Sequence, residues 1–138
     1  MAAARRIASC LSALGHDALT SHLLRDDVEE AESAVGDGEV FARVLAWLES
    51  CGVLIAEASG SSYGVGFEIG YVTGRARATG QRVCVFYDAA VPNRVSAVVT
   101  GYHGAFGEAV GYASLDDLDA MVRERFSGSR PAATVNPG

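Results

Sequence analysis

The sequence predicts an α/β fold: an open, mostly parallel sheet with helices on both faces. Three observations lead there. Two short runs, Gly52–Ala58 (GVLIAEA) and Arg82–Tyr87 (RVCVFY), are almost continuously apolar, as strands covered on both faces are. Around them lie segments with apolar residues at helical spacing. The two kinds of segment alternate along the chain, which is the pattern of βα units.

In order, Ala2–Leu14 sets Ile7, Leu11 and Leu14 on one helical stripe filled by Cys10, and Gly15 supplies a stop. Asp17–His22 has β-compatible alternation, and Leu24–Val35 is acidic and polar, a loop with a helical piece. Gly36-Asp37-Gly38 marks a turn and a helix entry. Glu39–Ser50 is a helix with Phe41, Val44, Leu45 and Leu48 on one face and Trp47 beside them. The strand Gly52–Ala58 runs into a Gly/Ser loop, Ser59–Gly66, and then a helix, Phe67–Thr79, closed by Gly80. After the second strand, Val91–Thr100 opens on a Pro-containing turn and continues as a helix. Ala109–Tyr112 is a last short strand. Leu115–Phe126 is a helix with Leu115, Leu118, Val122 and Phe126 at periodic positions, Ser114 as its cap and Asp117 three residues on. Residues 1–126 then form one domain, and 127–138, mostly Pro, Gly, Ser and Ala, form a flexible tail.

Composition narrows the function. A chain of 138 residues fits one domain with a small core. The net charge of −6 and the lack of a basic patch argue against a nucleic-acid partner. All 11 basic residues are arginine, which excludes a Schiff-base lysine and a P-loop lysine. Cys10, Cys51 and Cys84 are odd in number, lack metal spacing and sit in or beside apolar stretches, so they read as buried free thiols of a reducing, cytoplasmic protein. His16, His22 and His103 are scattered, so neither a metal nor a cofactor is expected. No apolar run approaches the ~20 residues of a membrane span. The stretch after Arg5-Arg6 is broken by Ser9 and Ser12 and reads as an amphipathic helix rather than a signal peptide.

Chemistry concentrates in Gly52–Gly70, GVLIAEASGSSYGVGFEIG. A strand runs through a Ser/Gly loop into a helix N-terminus, whose free N–H groups and dipole attract anions. Gly64 and Gly66 permit close approach to the backbone, and Ser59, Ser61 and Ser62 offer hydroxyls, so the loop reads as a phosphate cradle or as a tight turn needing glycine only for its shape. Glu68, in the first turn of the following helix, is either a capping carboxylate or one placed to attack an anomeric carbon. Glu57 is either a second carboxylate of the site or a loop anchor. Tyr63 suits base stacking or a plain loop position. Tyr102 and Phe106 flank a loop that either closes over a site or lies on the surface. Arg94 either neutralises a phosphate or is solvated.

The run from Trp47 to Glu57 (WLESCGVLIAE), followed by Ser62–Gly70 (SYGVGFEIG), resembles the signature of the nucleoside 2-deoxyribosyltransferase superfamily. The match is to its 2'-deoxynucleoside 5'-phosphate N-hydrolase branch, and Arg94-Val95-Ser96-Ala97 is similar to that branch's second serine motif. The likeness spans roughly Ile7 to Phe126, with the SxGVGxE core as its specific part. It implies a flavodoxin-like fold, a dimer, and cleavage of the N-glycosidic bond of a deoxynucleoside or its monophosphate through a glutamyl-deoxyribose. It implies Glu68 as nucleophile and Ser62, with Gly64 and Gly66, at the 5'-phosphate. Ser96 would reach the same phosphate from a neighbouring subunit.

Two departures accompany the resemblance. Family members open with a central strand and a Gly/Ser loop, whereas this chain starts at what matches the following helix, so strands on both sides of that place are expected to lack partners. The simplest expectation from this is a truncated N-terminus. The family aspartate three residues before Trp47 is Val44 here, and Asp37 lies seven residues earlier, about 10 Å along a helix. Losing a general acid typically costs about 10²–10⁴ in rate. The alternative to a hydrolase or transferase is therefore an impaired nucleotide-binding protein, or a subunit partnering a full-length paralogue.

Overall fold

The computed structural model describes residues 2–17, 36–60, 63–91 and 95–128, with the backbone of 133–136. Its elements are α1 (Ala2–Ala13), α2 (Asp37–Ser50), β1 (Val53–Glu57), α3 (Tyr63–Thr79), β2 (Arg82–Asp88), α4 (Ala97–Thr100), β3 (His103–Gly104), β4 (Gly107–Tyr112), α5 (Leu115–Phe126) and β5 (Ala133–Asn136). The strands form one open sheet in the order β3-β4-β2-β1-β5. Among the described residues only the β3–β4 pair is antiparallel. The expected α/β, flavodoxin-like arrangement is the one observed.

The apolar runs follow from burial on both faces. Val53 and Ile55 of β1, with Cys84 and Phe86 of β2, meet Ile7 and Leu11 of α1 and Leu118 and Val122 of α5. The alternate residues Leu54, Ala56, Val83 and Val85 meet Leu48 of α2 and Val65, Ile69 and Val72 of α3. Each fully buried Leu, Ile or Phe contributes about 1.5–3 kcal/mol. Helix ends follow local chemistry: Gly15 and Gly80 take positive φ (88° and 77°) just past α1 and α3. Ser114 caps α5 by accepting the Asp117 N–H at 3.1 Å, and Asp117 accepts the Ala113 N–H at 2.9 Å. The Gln81 amide donates to the Leu48 and Cys51 carbonyls (2.6 and 2.8 Å) and fixes the end of α2 against the sheet.

Several expectations change. α3 begins at Tyr63, not Phe67. Of the helix expected from Val91, the described part is Ala97–Thr100 with Ser96 as its cap, and residues 92–94 lie outside the described residues. β4 starts at Gly107, where β2 approaches so closely that a Cβ would lie 1.8 Å from the Val83 carbonyl oxygen. The outer edge of β1 is not left without a partner: residues 133–136, read as tail, pair with it in parallel, Val53 opposite Ala133 and Ala56 opposite Asn136. A Thr134-Val135 pair is too short a β signal to stand out locally, and long-range pairing supplies the rest. The strand expected at Asp17–His22 and the loop at Leu24–Val35 lie, beyond Asp17, outside the described residues. Among the described residues no helix is long and apolar enough to cross a membrane.

Candidate active site

β1, β2 and β4 run parallel, so their carboxyl ends meet at the turn Ala58–Gly60 that leads to α3. Ligands of open α/β sheets sit at such ends. Because α3 starts at Tyr63, Gly64 and Gly66 lie in its first turn rather than in a loop. Each glycine disfavours helix by about 1 kcal/mol. Burial of Val65 and Ile69 against the sheet outweighs that cost.

Glu68 moves with this boundary. It falls in the second turn, and the first turn of α3 holds no acidic residue, so it does not cap the helix. It shares the sheet-facing stripe of Val65, Ile69, Val72 and Ala76 and is 8% exposed. A carboxylate in such a place costs several kcal/mol unless well paired and hydrogen-bonded. Glu68 is thus a buried carboxylate held on the inner face of α3.

A cavity of about 390 Å³ opens beside the start of α3. That volume is in the range of small-molecule sites. Ala58 borders it from the turn, Tyr63, Val65, Gly66 and Phe67 from α3, and Val95, Ser96, Val98 and Val99 from the α4 side. The fold thus brings Gly66 and Ser96 to one cavity within a single chain. Glu68 and Gly64 do not border it. Ser62, Ser61 and Arg94 lie outside the described residues. A Cβ placed on Gly66 would meet nothing within 4 Å, so the backbone there is open to a ligand. Ser96 is exposed and caps α4, its Oγ accepting the Val98 N–H at 3.3 Å. Tyr63 is fully exposed at the cavity mouth.

Ser59 has a different task from the one expected. Its N–H donates to Glu57 Oε1 (2.6 Å), its hydroxyl donates to Glu57 Oε2 (3.1 Å), and the hydroxyl oxygen accepts the Asp88 N–H (2.8 Å). Its donors are spent inside the protein, not on a phosphate. Glu57, 5% exposed, also accepts the Tyr112 hydroxyl at 2.5 Å. Of its two readings, loop anchor is the one observed. Burial, and then the bond to Glu57, hold the Tyr112 phenol well above its ordinary pKa, so it remains a donor.

Val44 is half-buried against the sheet-side core. The carboxylates around it point to other work. Asp37 is exposed at the start of α2, Glu39 pairs with Arg43 at 3.1 Å, and Glu49 accepts the Tyr71 hydroxyl at 2.9 Å. The three cysteines are buried and free, as expected. Burial pushes the Cys84 thiol up to about 12 and raises Cys10 as well, which removes both as nucleophiles. His16 meets the Phe126 carbonyl through Nε2 (2.5 Å), and no metal-holding cluster occurs among the described residues. Phe106 lies at the amino ends of the parallel strands and Tyr102 runs alongside Ala109 of β4, so the loop between them turns away from the site. The Tyr102 hydroxyl pairs instead with Thr73 at 2.8 Å. Phe41, Phe67 and Val98 are exposed beside the cavity, and the Phe41 and Phe67 rings lie 6.1 Å apart.

Comparison with known proteins decides the family. The chain is 33% identical to a protein of Thermofilum pendens that carries the provisional name 2'-deoxynucleoside 5'-phosphate N-hydrolase 1, over 88% of this chain and 85% of that one. The chain belongs to the 2'-deoxynucleoside 5'-phosphate N-hydrolase family. It is likewise 31% identical to a 5-hydroxymethyl-dUMP N-hydrolase of Mus musculus, over 96% of this chain and 80% of that one. A 5-hydroxymethyl-dUMP N-hydrolase of Esox lucius is 30% identical over 90% and 84%. No protein-family model matches the chain. Membership in the N-hydrolase family makes the chain an enzyme of the N-glycosidase class, in agreement with the resemblance carried by Ser62–Gly70.

Proposed function

We propose that this N-hydrolase cleaves the N-glycosidic bond of a 2'-deoxynucleoside 5'-monophosphate, with Glu68 as nucleophile. The observation that carries the assignment is Glu68 itself: a buried carboxylate on the inner face of α3, two residues past the open backbone of Gly66. A carboxylate oxygen of Glu68 attacks C1' as the C1'–N bond breaks. The bonding pair leaves with the base, which takes up a proton. Water then attacks C1', releases Glu68 and yields 2-deoxyribose 5-phosphate. A second base in place of water would make the same step a transfer.

Ser62, Gly64 and Gly66 hold the 5'-phosphate at the start of α3, where N–H groups and the helix dipole favour an anion. Ser96 borders the cavity of Gly66 in its own chain, and in an assembly with a second copy or a paralogue it contributes to the neighbouring chain's phosphate site. The exposed Phe41, Phe67 and Val98 beside the cavity support such an association. No cofactor takes part.

Val44 favours a second reading, an impaired nucleotide-binding subunit, because an apolar residue stands where the family places an aspartate. One experiment separates the two. Each deoxynucleoside 5'-monophosphate is incubated with the full chain, with Glu68→Gln and with Val44→Asp, and free base is measured by chromatography. Release by the native chain that disappears in Glu68→Gln supports the hydrolase. Binding without release, and release restored only in Val44→Asp, supports the impaired subunit.

A further inference from the structure

We infer that Glu57, Ser59 and Tyr112 form a positioning brace that sets where the chain leaves β1, and so where α3 begins over the cavity. By strand alternation Glu57 shares the sheet face of Val53 and Ile55, the face covered by α1 and α5. Tyr112 belongs to the same face at the end of β4, with β2 between it and β1. Its phenol spans β2 to reach Glu57 Oε2 at 2.5 Å. The Ser59 hydroxyl takes the Asp88 N–H from the end of β2. One carboxylate and one hydroxyl therefore tie together the carboxyl ends of three strands.

Each bond has a separate role. The bond from Ser59 N–H to Glu57 Oε1 (2.6 Å) closes a tight local turn, side chain to backbone two residues on. The bonds from the Ser59 and Tyr112 hydroxyls supply the remaining contacts that let a carboxylate stay at 5% exposure. Ala58 is already pinned to the Phe86 carbonyl at 2.9 Å, so the brace acts just beyond that point, on Ser59 and Gly60. Ala58 and Gly66 border the cavity on either side of this turn, whereas Glu57, Ser59 and Tyr112 do not border it. They act through the turn and touch no bound molecule. A misplacement of about 1 Å at a reacting centre costs up to about 10²-fold in rate, so the placement of α3 is worth fixing.

The kinetic consequence rests on the proposed hydrolysis at Glu68; the brace itself does not. The test uses the full chain as Tyr112→Phe, which keeps the ring in the core, and as Glu57→Gln. Hydrogen exchange is followed by mass spectrometry, together with base release from a deoxynucleoside 5'-monophosphate. Exchange in peptides spanning Ala58–Glu68 should quicken about tenfold while β2 peptides stay as in the native chain. kcat should fall about tenfold, because α3 carries Glu68, and KM should rise about threefold or more, because the start of α3 is the proposed phosphate site. Unchanged exchange in both variants overturns the brace. Faster exchange with native KM and kcat overturns its positioning role. If the native chain releases no base, the functional assignment fails by itself and exchange still decides the brace. If Glu57→Gln does not fold, Tyr112→Phe carries the test.

Discussion

Replacing Gly66 with alanine should make the protein more stable and less active at once. A Cβ at this position meets nothing within 4 Å, so the fold accommodates it. Glycine to alanine within a helix gains about 0.5–1 kcal/mol, somewhat less in a first turn. For a chain of this length that raises Tm by roughly 2–4 °C. The same methyl projects into the 390 Å³ cavity at the place where the backbone is open to a ligand. If it displaces one charge-assisted hydrogen bond to the phosphate, worth about 1.5–3 kcal/mol, KM rises about 10–100-fold. Gly70 and Gly74 are the controls: they lie in the same helix, are equally open and do not border the cavity. Their alanine variants should gain the stability without the KM change. Thermal melting by circular dichroism and steady-state base release measure both. An unaltered KM in Gly66→Ala, or the same rise in Gly70→Ala, would refute the reasoning.

Three further outcomes are expected. Glu68→Gln should lower base release about a thousandfold or more while the chain stays folded; melting and base assays on one preparation check this. Gly107→Ala should destabilise by about 3 kcal/mol or more, since the added carbon would lie 1.8 Å from the backbone oxygen of Val83 in the adjoining strand; urea unfolding measures it. Cys84 has its pKa raised from 9.0 to about 12, so above pH 9 the unfolded chain loses this proton while the folded chain keeps it. Stability from this thiol is complete below pH 9 and falls by about 1.4 kcal/mol per pH unit toward pH 12. Urea unfolding at pH 8 and pH 10 should show the fall in the native chain and a smaller one in Cys84→Ala.

The parts of the fold that were legible in the sequence are those with a strong local cause. β1 and β2 stood out because burial on both faces leaves no polar position. The start of α5 was marked by Ser114 and Asp117, three residues apart, and they make the expected bond. The start of α3 was misplaced because glycine propensity speaks for a loop there and only the packing of Val65 overrides it. β5 was missed because four residues carry no periodicity and depend on β1 for their pairing. The same division holds at the site. The family was legible through a contiguous motif. The burial of Glu68, the shared cavity of Gly66 and Ser96, and the engagement of Ser59 were not. The link between Glu57 and Tyr112 spans 55 residues, and only the sheet order brings the two together.

The most direct test of the central claim is a time course of free base and 2-deoxyribose 5-phosphate from a deoxynucleoside 5'-monophosphate, with native chain and Glu68→Gln side by side. The account predicts equimolar release of both products by the native chain and loss of both in the variant. No release from folded native chain, or release undiminished in Glu68→Gln, would contradict it.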